Sequence, residues 1–160
     1  MFNFGHKNLE GFMVSPMSGT MVSVREIPDE VFSEKIIGDG AAVIPEEDII
    51  VSPIDGEIIQ VADTGHAFCI HSDDGLDVLV HIGVDTVNMK GNGFESFVSV
   101  GQKVKKGEKI GTADIKLIEE EGYPLHSAVL ITNMQDIEDM ETYSGEAQAG
   151  ETKLISYKKK

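Results

Sequence analysis

The sequence predicts a single all-β domain, an antiparallel sandwich with barrel-like closure, and three observations support this fold class. The apolar residues are mainly Val, Ile, Leu and Met, while aromatic residues make up only 6% of the chain and tryptophan is absent. Val and Ile favour strands. The candidate strands are short and separated by Gly, Asp, Asn or Pro clusters, as is typical of sandwiches and barrels. The third observation is an internal repeat.

The repeat indicates that one β-unit occurs twice. Residues 14–24 read VSPMSGTMVSV and residues 51–61 read VSPIDGEIIQV, so Val, Ser, Pro, Gly and the final Val coincide at an offset of 37. Proline cannot donate to a strand ladder, and glycine permits a tight turn. Each copy is therefore expected to form a strand entry, a turn and an outgoing strand.

The other elements are read from short apolar runs between turn residues. Strands are predicted at 41–44, 67–71, 76–82, 109–112, 127–132 and 152–157. Helices are expected to be few and short. A turn or two should follow Pro28, with this proline at the first helical position, and a helix should cover 115–121, with Asp114 as its N-cap and Gly122 as its stop. A short turn is also expected within 134–140.

Length and charge restrict the classes of function. At 160 residues and 41% hydrophobic, the chain can bury one core, so we expect one domain over residues 1–160 with a flexible N-terminal lead at 1–12. Its net charge of −15 repels nucleic acids and anionic bilayers and favours a basic protein partner.

Cys69 is the only cysteine, which excludes an internal disulfide and a cysteine-based zinc site. No secretion signal or apolar span of about twenty residues occurs, so we expect a cytoplasmic protein without membrane insertion.

Two histidines are candidates for chemistry because each lies in or beside an apolar run. His66 lies within Thr64–Phe68, and His81 follows fifteen residues later within Val80–Val87. Burial lowers the pKa of a histidine and favours the neutral ring, which can attack phosphorus or bind a metal. A single histidine in an apolar strand is more often a hydrogen-bonded core residue than a reactive one, so the hypothesis depends on the pair.

The spacing predicts that the two histidines meet across a hairpin. The midpoint between them falls at residues 73 and 74, inside the turn at 72–75, so antiparallel pairing would bring the rings face to face. One ring could then attack a phosphoryl group while the other donates a hydrogen bond to its oxygens.

Three neighbours are expected to orient the two rings. Thr64 lies two residues before His66 and would point to the same side. The Gly83 backbone or the Asp85 carboxylate lies just beyond His81, where either can fix the tautomer of its ring.

At these residues the chain resembles the glucose-type enzyme IIA of the bacterial phosphoenolpyruvate:sugar phosphotransferase system. The matching segments occur in family order as DEVFSEKIIGDG at 29–40, TGHAF at 64–68, LVHIGVDTV at 79–87 and GNGF at 91–94. The likeness covers most of the chain, and the segment around His81 is its most specific part. One departure is Gly65, where asparagine often precedes the histidine.

The resemblance implies an antiparallel β-sandwich and a phosphohistidine intermediate that needs no cofactor. His81 would receive the phosphoryl group on Nε2 from the phosphocarrier HPr and pass it to a cysteine of a sugar permease's IIB domain. His66 would stabilise the phosphoryl group, and Thr64 would hydrogen-bond within the same network. The apolar rim on which family members dock their partners is matched by Val31, Phe32 and Ile36. The resemblance is also compatible with a regulatory role and with regulatory protein targets, which the sequence does not identify.

Two other classes of function remain open at this point. A lipoyl- or biotin-type carrier would explain the repeated Ser-Pro units and the lysine-rich stretch at 100–110, but it needs a lysine at an exposed hairpin tip, and Met89–Gly91 departs from that pattern. A zinc hydrolase of the lysostaphin type would use paired histidines, but no His-x-His pair occurs. The leading hypothesis requires no metal, although His66 and His81 can bind zinc adventitiously.

Overall fold

The computed structural model describes residues 9–160, which form short antiparallel strands and two short helices. The strands are β1 Glu10–Val14, β2 Gly19–Ser23, β3 Asp39–Pro45, β4 Ile49–Val51, β5 Gly56–Val61, β6 Ala67–Ser72, β7 Asp77–His81, β8 Phe94–Ser96, β9 Lys103–Val104, β10 Lys109–Ala113, β11 Ser127–Ile131, β12 Ile137–Thr142, β13 Gly145–Ala147 and β14 Lys153–Lys159. The helices are α1 Glu30–Ser33 and α2 Ile115–Glu120, and 3₁₀ turns cover Val24–Glu26, Thr86–Met89 and Met134–Asp136.

The strands form three antiparallel sheets that share one core. The largest sheet has the order β13-β2-β3-β11-β7-β6-β5-β9, and the two smaller sheets have the orders β1-β14-β12 and β4-β10-β8. All three contribute to one buried cluster, for example through Phe68, Met13 and Ile50. This arrangement confirms the predicted all-β sandwich.

A second apolar cluster lies on the other face of the large sheet. Alternate residues of a strand point to opposite faces, so Val129 packs in the main core while Ala128 and Leu130 pack in the second cluster. Phe32 from α1 covers this second cluster. Strand β11 is therefore buried on both faces, and it lies directly beside β7.

The internal repeat corresponds to two equivalent turns. The hydroxyls of Ser15 and Ser52 each donate to the carbonyl oxygen two residues further on, both at 2.7 Å. The amides of Val14 and Val51 each donate to the carbonyl oxygen of the proline in the other copy, at 3.0 and 2.8 Å. The outgoing strands are β2 and β5. The two copies thus contact each other through reciprocal hydrogen bonds.

The local helix signals are partly confirmed. Asp114 caps α2 by accepting a hydrogen bond from the Leu117 amide at 3.1 Å, and Gly122 follows the helix with a φ of +85°. The prediction for Pro28 is wrong in position. Asp29 is the N-cap of α1, and its carboxylate accepts from the Val31 amide at 2.9 Å, so Pro28 precedes the cap.

The short turn predicted within 134–140 is confirmed, but it covers less than half of that range. Only Met134–Asp136 forms a 3₁₀ turn, and β12 begins at Ile137. Its residues pair with β14, and backbone pairing of this kind does not depend on alternating apolar side chains. The acidic, largely exposed composition of 137–142 therefore gave no strand signal.

The N-terminal strand begins earlier than predicted. Residues 1–8 of the expected lead lie outside the described residues, but β1 starts at Glu10 and pairs with β14. Residues 10–12 therefore belong to a strand and not to a flexible lead. Within residues 9–160, no helix is long and apolar enough to cross a bilayer.

Candidate active site

His66 and His81 lie side by side at the end of the β6–β7 hairpin that is remote from its turn. The ring centroids are 5.0 Å apart, and the ring planes are inclined by 82°. His66 is 7% exposed, and His81, the last residue of β7, is partly buried. The structure therefore brings together the two histidines that the sequence analysis singled out.

The pairing register of the hairpin is one residue away from the predicted one. Ala67, not His66, lies opposite His81, and the His66 carbonyl accepts from the Ile82 amide at 2.8 Å. A shift of one residue in a regular strand would place the rings on opposite faces. The rings still meet because His66 precedes β6 and follows Gly65, whose φ of +74° is incompatible with strand geometry.

The register follows from the length of the hairpin turn. The Ser72 amide donates to the Leu76 carbonyl at 2.7 Å, and the Leu76 amide donates to the Ser72 hydroxyl at 2.8 Å. Three residues, not two, therefore form the loop. Gly75, its third residue, has a φ of +94°, as expected for a three-residue hairpin with a left-handed last position.

The tautomer of His81 is determined by a backbone carbonyl. Nδ1 of His81 lies 2.9 Å from the Gly83 carbonyl oxygen. A carbonyl can only accept, so Nδ1 carries the proton and Nε2 keeps its lone pair. Of the two groups predicted to orient this ring, the Gly83 carbonyl makes the hydrogen bond, and the exposed Asp85 carboxylate acts on His81 through its charge.

Gly83 is required at its position on steric grounds. Its φ is +70°, and a Cβ at this residue would lie 2.5 Å from the Thr86 methyl carbon and 3.1 Å from the Pro124 carbonyl oxygen. Any side chain would displace the loop whose carbonyl faces His81.

His66 is oriented by its own loop. Thr64 Oγ1 lies 2.6 Å from His66 Nδ1. The Phe94 ring packs against the His66 ring at 6.3 Å between centroids in an edge-on arrangement. A Cβ at Gly65 would lie 3.2 Å from the Phe94 Cβ, and the positive φ of Gly65 is one that glycine and asparagine both adopt. The departure at Gly65 is therefore compatible with the left-handed backbone that this loop adopts.

Burial favours the neutral form of both rings. Burial lowers the pKa of His66 below the ordinary value of 6.5, and the neighbouring His81 lowers it further. Burial also lowers the pKa of His81, although the Gly83 carbonyl and the carboxylates of Asp29 and Asp85 oppose this effect. At neutral pH the lone pair of His81 Nε2 is therefore available for attack on phosphorus.

The lowered pKa values lead to a pH prediction. In an NMR titration of the isolated protein, His66 and His81 should titrate with midpoints below 6.5, the value expected for the same residues in the urea-unfolded chain. At a pH between the folded and the unfolded pKa of each histidine, the unfolded chain binds more protons than the folded chain. The free energy of unfolding should therefore decrease as the pH falls below about 6.5. Midpoints at or above 6.5 in the folded protein would contradict this assignment.

The three predicted partner-binding residues differ in exposure. Val31 is 40% exposed and Ile36 is 68% exposed, whereas Phe32 is only 5% exposed. The Phe32 ring lies 5.0 Å from the His81 ring, centroid to centroid. Phe32 therefore supports His81 from the protein side, and Val31 and Ile36 are the two that present apolar surface.

The sequence analysis missed two residues of the site: Phe94, whose ring packs against His66, and Asp29, whose charge acts on His81. Phe94 belongs to the GNGF segment and Asp29 begins the DEVF segment, so both lay within recognised segments but had no assigned role. Within the described part of the chain, no group of three or more His, Cys, Asp or Glu side chains is placed to hold a metal ion. His66 and His81 by themselves provide two ligands.

Comparisons with known proteins agree with the resemblance. A family model described as the phosphoenolpyruvate-dependent sugar phosphotransferase system, EIIA 1, matches residues 12–137. The glucose-specific EIIA component of Bacillus cereus is 40% identical over 156 residues, covering 97% of this chain and 94% of that protein. The N-acetylglucosamine-specific EIICBA component of Klebsiella pneumoniae is 37% identical over 149 residues, which are 92% of this chain but 23% of that protein.

The fold agrees with a solved structure as well. The glucose permease IIA of Mycoplasma capricolum superimposes with a TM-score of 0.85 at 34% identity, covering 96% of this chain and 99% of that one. Sequence and structure thus match over nearly the full length of these two IIA proteins. The chain therefore belongs to the EIIA 1 family of the phosphoenolpyruvate-dependent sugar phosphotransferase system.

Proposed function

We propose that His81 carries the phosphoryl group in this phosphotransferase component, accepting it from phosphorylated HPr and passing it to a cysteine of a permease IIB domain. The observation that supports this role is the arrangement of the two rings. Each Nδ1 is engaged with its own loop, and the centroids are 5.0 Å apart, so one phosphoryl group on His81 can contact both rings.

The first transfer uses the Nε2 lone pair of His81. It attacks the phosphorus of the donor's phosphohistidine, the donor P–N bond breaks, and the electron pair returns to the donor ring. Nδ1 of His81 keeps its proton, so the phosphorylated ring gains positive charge. The Gly83 carbonyl at 2.9 Å stabilises this charge. In the second transfer a thiolate attacks phosphorus, and the P–N bond to His81 breaks.

His66 acts on the phosphoryl oxygens. If the Thr64 hydroxyl donates to Nδ1, then Nε2 of His66 carries the ring's proton and can donate to a phosphoryl oxygen. Such a donor is most effective in a site from which water is excluded, and His66 is nearly buried.

The partners are proposed from charge and surface. The net charge of −15 favours encounter with a basic donor surface, and the exposed Val31 and Ile36 lie near Phe32, which contacts His81. Because the donor is phosphorylated at the expense of phosphoenolpyruvate, a cytoplasmic metabolite, we place the reaction in the cytoplasm. The carrier alternative finds no support, since Lys90 follows the 3₁₀ turn Thr86–Met89 and does not lie at a hairpin tip.

The test is to map the phosphate on the unaltered chain. Incubation with phosphoenolpyruvate, enzyme I and HPr should add one acid-labile phosphate, located at His81 by fragmentation at neutral pH. Addition of a IIB domain should then remove it. A chain that gains no phosphate, or that gains it on His66, His71 or His126, would contradict the proposal.

A further inference from the structure

A buried serine holds the loop that faces His81. The Gly83 amide donates to Ser127 Oγ at 3.1 Å, and Ser127 Oγ donates to the Leu125 carbonyl at 2.9 Å. The hydroxyl donates its single proton to the Leu125 carbonyl, so a lone pair of Oγ can accept from the Gly83 amide. Ser127 is fully buried and begins β11, the strand beside β7. A neighbouring strand thus provides the acceptor for the Gly83 amide.

The next peptide unit is anchored by the same segment. The Val84 amide donates to the Pro124 carbonyl at 3.1 Å. This amide and the Gly83 carbonyl belong to one peptide group, so the hydrogen bond to Pro124 polarises the carbonyl that accepts from His81 Nδ1. Both sides of Gly83 are therefore fixed by residues 124–127, a segment that takes no part in the proposed transfer itself.

We propose that Ser127 is a positioning residue for phosphoryl transfer. It acts through Gly83: by fixing the Gly83 peptide it keeps the carbonyl aimed at His81 Nδ1 and so keeps Nε2 unprotonated and nucleophilic. This inference rests on the proposed role of His81 as acceptor. Loss of the Ser127 hydroxyl leaves the buried Gly83 amide without its acceptor, and the loop must shift to satisfy that amide.

The first measurement is the tautomer of His81 in ¹⁵N-labelled protein. In long-range ¹H–¹⁵N spectra recorded above the His81 pKa, the unaltered chain should show Nδ1 protonated and Nε2 unprotonated. Ser127→Ala should shift His81 toward a mixture of tautomers, and the rate at which it accepts phosphate should decrease on the order of tenfold. Ser127→Thr retains the hydroxyl and should restore both readouts.

Ser52→Ala is the matched control. Ser52 is also fully buried, and its hydroxyl likewise donates to a backbone carbonyl two residues away, but it lies in the internal repeat. This variant should lose stability while keeping the His81 tautomer and the rate of phosphate acceptance. If Ser127→Ala does not fold, Ser127→Cys replaces it, since a thiol has similar shape but is a weak acceptor.

Two results would overturn the proposal. One is a folded Ser127→Ala or Ser127→Cys protein with the tautomer of the unaltered chain. The other is a Ser52→Ala protein that loses the tautomer preference to the same degree. The tautomer is read without any phosphoryl donor, so this outcome is distinct from a failure of His81 to accept phosphate in the mapping experiment.

Discussion

His81→Ala is expected to abolish phosphorylation of the chain by phosphoenolpyruvate, enzyme I and HPr. The substitution removes Nε2, the atom that would form the bond to phosphorus, and covalent catalysis has no residual path once its nucleophile is lost. We do not expect His66 to replace it, because the Thr64 hydroxyl at 2.6 Å can donate as well as accept and so does not hold a lone pair on Nε2 of His66. The measurement is incorporation of acid-labile phosphate from labelled phosphoenolpyruvate, with thermal unfolding recorded in parallel.

The matched control for this experiment is His71→Ala. His71 lies on β6 of the same hairpin, but it is exposed and pairs with Asp77 at 2.7 Å. An exposed contact of this kind contributes at most about 1 kcal/mol to stability, so this variant should fold and accept phosphate at the unaltered rate. Normal labelling of His81→Ala, or loss of labelling in His71→Ala, would show that the acceptor is assigned to the wrong residue.

The parts of the fold that sequence could predict are those determined locally. The cap at Asp114 and the stop at Gly122 define α2 within a few residues, and the repeated Ser-Pro units correspond to equivalent turns. Strand β12 could not be found this way. Its acidic side chains are largely exposed, and it exists because its backbone pairs with β14.

The same distinction applies to the site. The proximity of His66 and His81 could be predicted from their spacing about a turn. The register could not, because the segment 72–75 can form the predicted two-residue turn or a three-residue loop that ends on Gly75, and the observed pairing is the second. Ser127 comes from a strand more than forty residues after Gly83, and a short apolar run at 127–132 contains no signal for a role in the loop after His81.

The two histidines are held by chemically different partners, and this difference supports the unequal roles that we propose for them. The Gly83 carbonyl can only accept, so it fixes one tautomer of His81. The Thr64 hydroxyl can donate or accept, so His66 can take up the tautomer that a bound phosphoryl group requires. A fixed lone pair suits a nucleophile, whereas an adjustable N–H suits a group that stabilises charge.

This difference predicts that His66→Ala accepts phosphate but transfers it poorly. In the first transfer a neutral imidazole attacks the charged phosphoryl group, and the nucleophile is prepared by Gly83 without help from His66. In the second transfer the nucleophile is an anionic thiolate, which is repelled by the phosphoryl oxygens. A hydrogen bond from the His66 N–H, which stabilises this negative charge, is therefore needed most in this step, and loss of one such donor lowers the rate by about 100-fold or more.

The experiment separates the two steps. Phosphorylated His66→Ala protein is prepared with enzyme I and HPr, freed from both, and mixed with a IIB domain while loss of phosphate is followed by intact mass. Labelling should reach one phosphate per chain, and discharge should be slowed on the order of 100-fold. Thr64→Val keeps the His66 ring but removes the hydroxyl at 2.6 Å, so its discharge should be intermediate. Discharge of His66→Ala at the unaltered rate would show that His66 does not contact the phosphoryl group during transfer. An equal decrease in the rates of phosphate acceptance and of discharge would show that the role of His66 is to shape the site around His81.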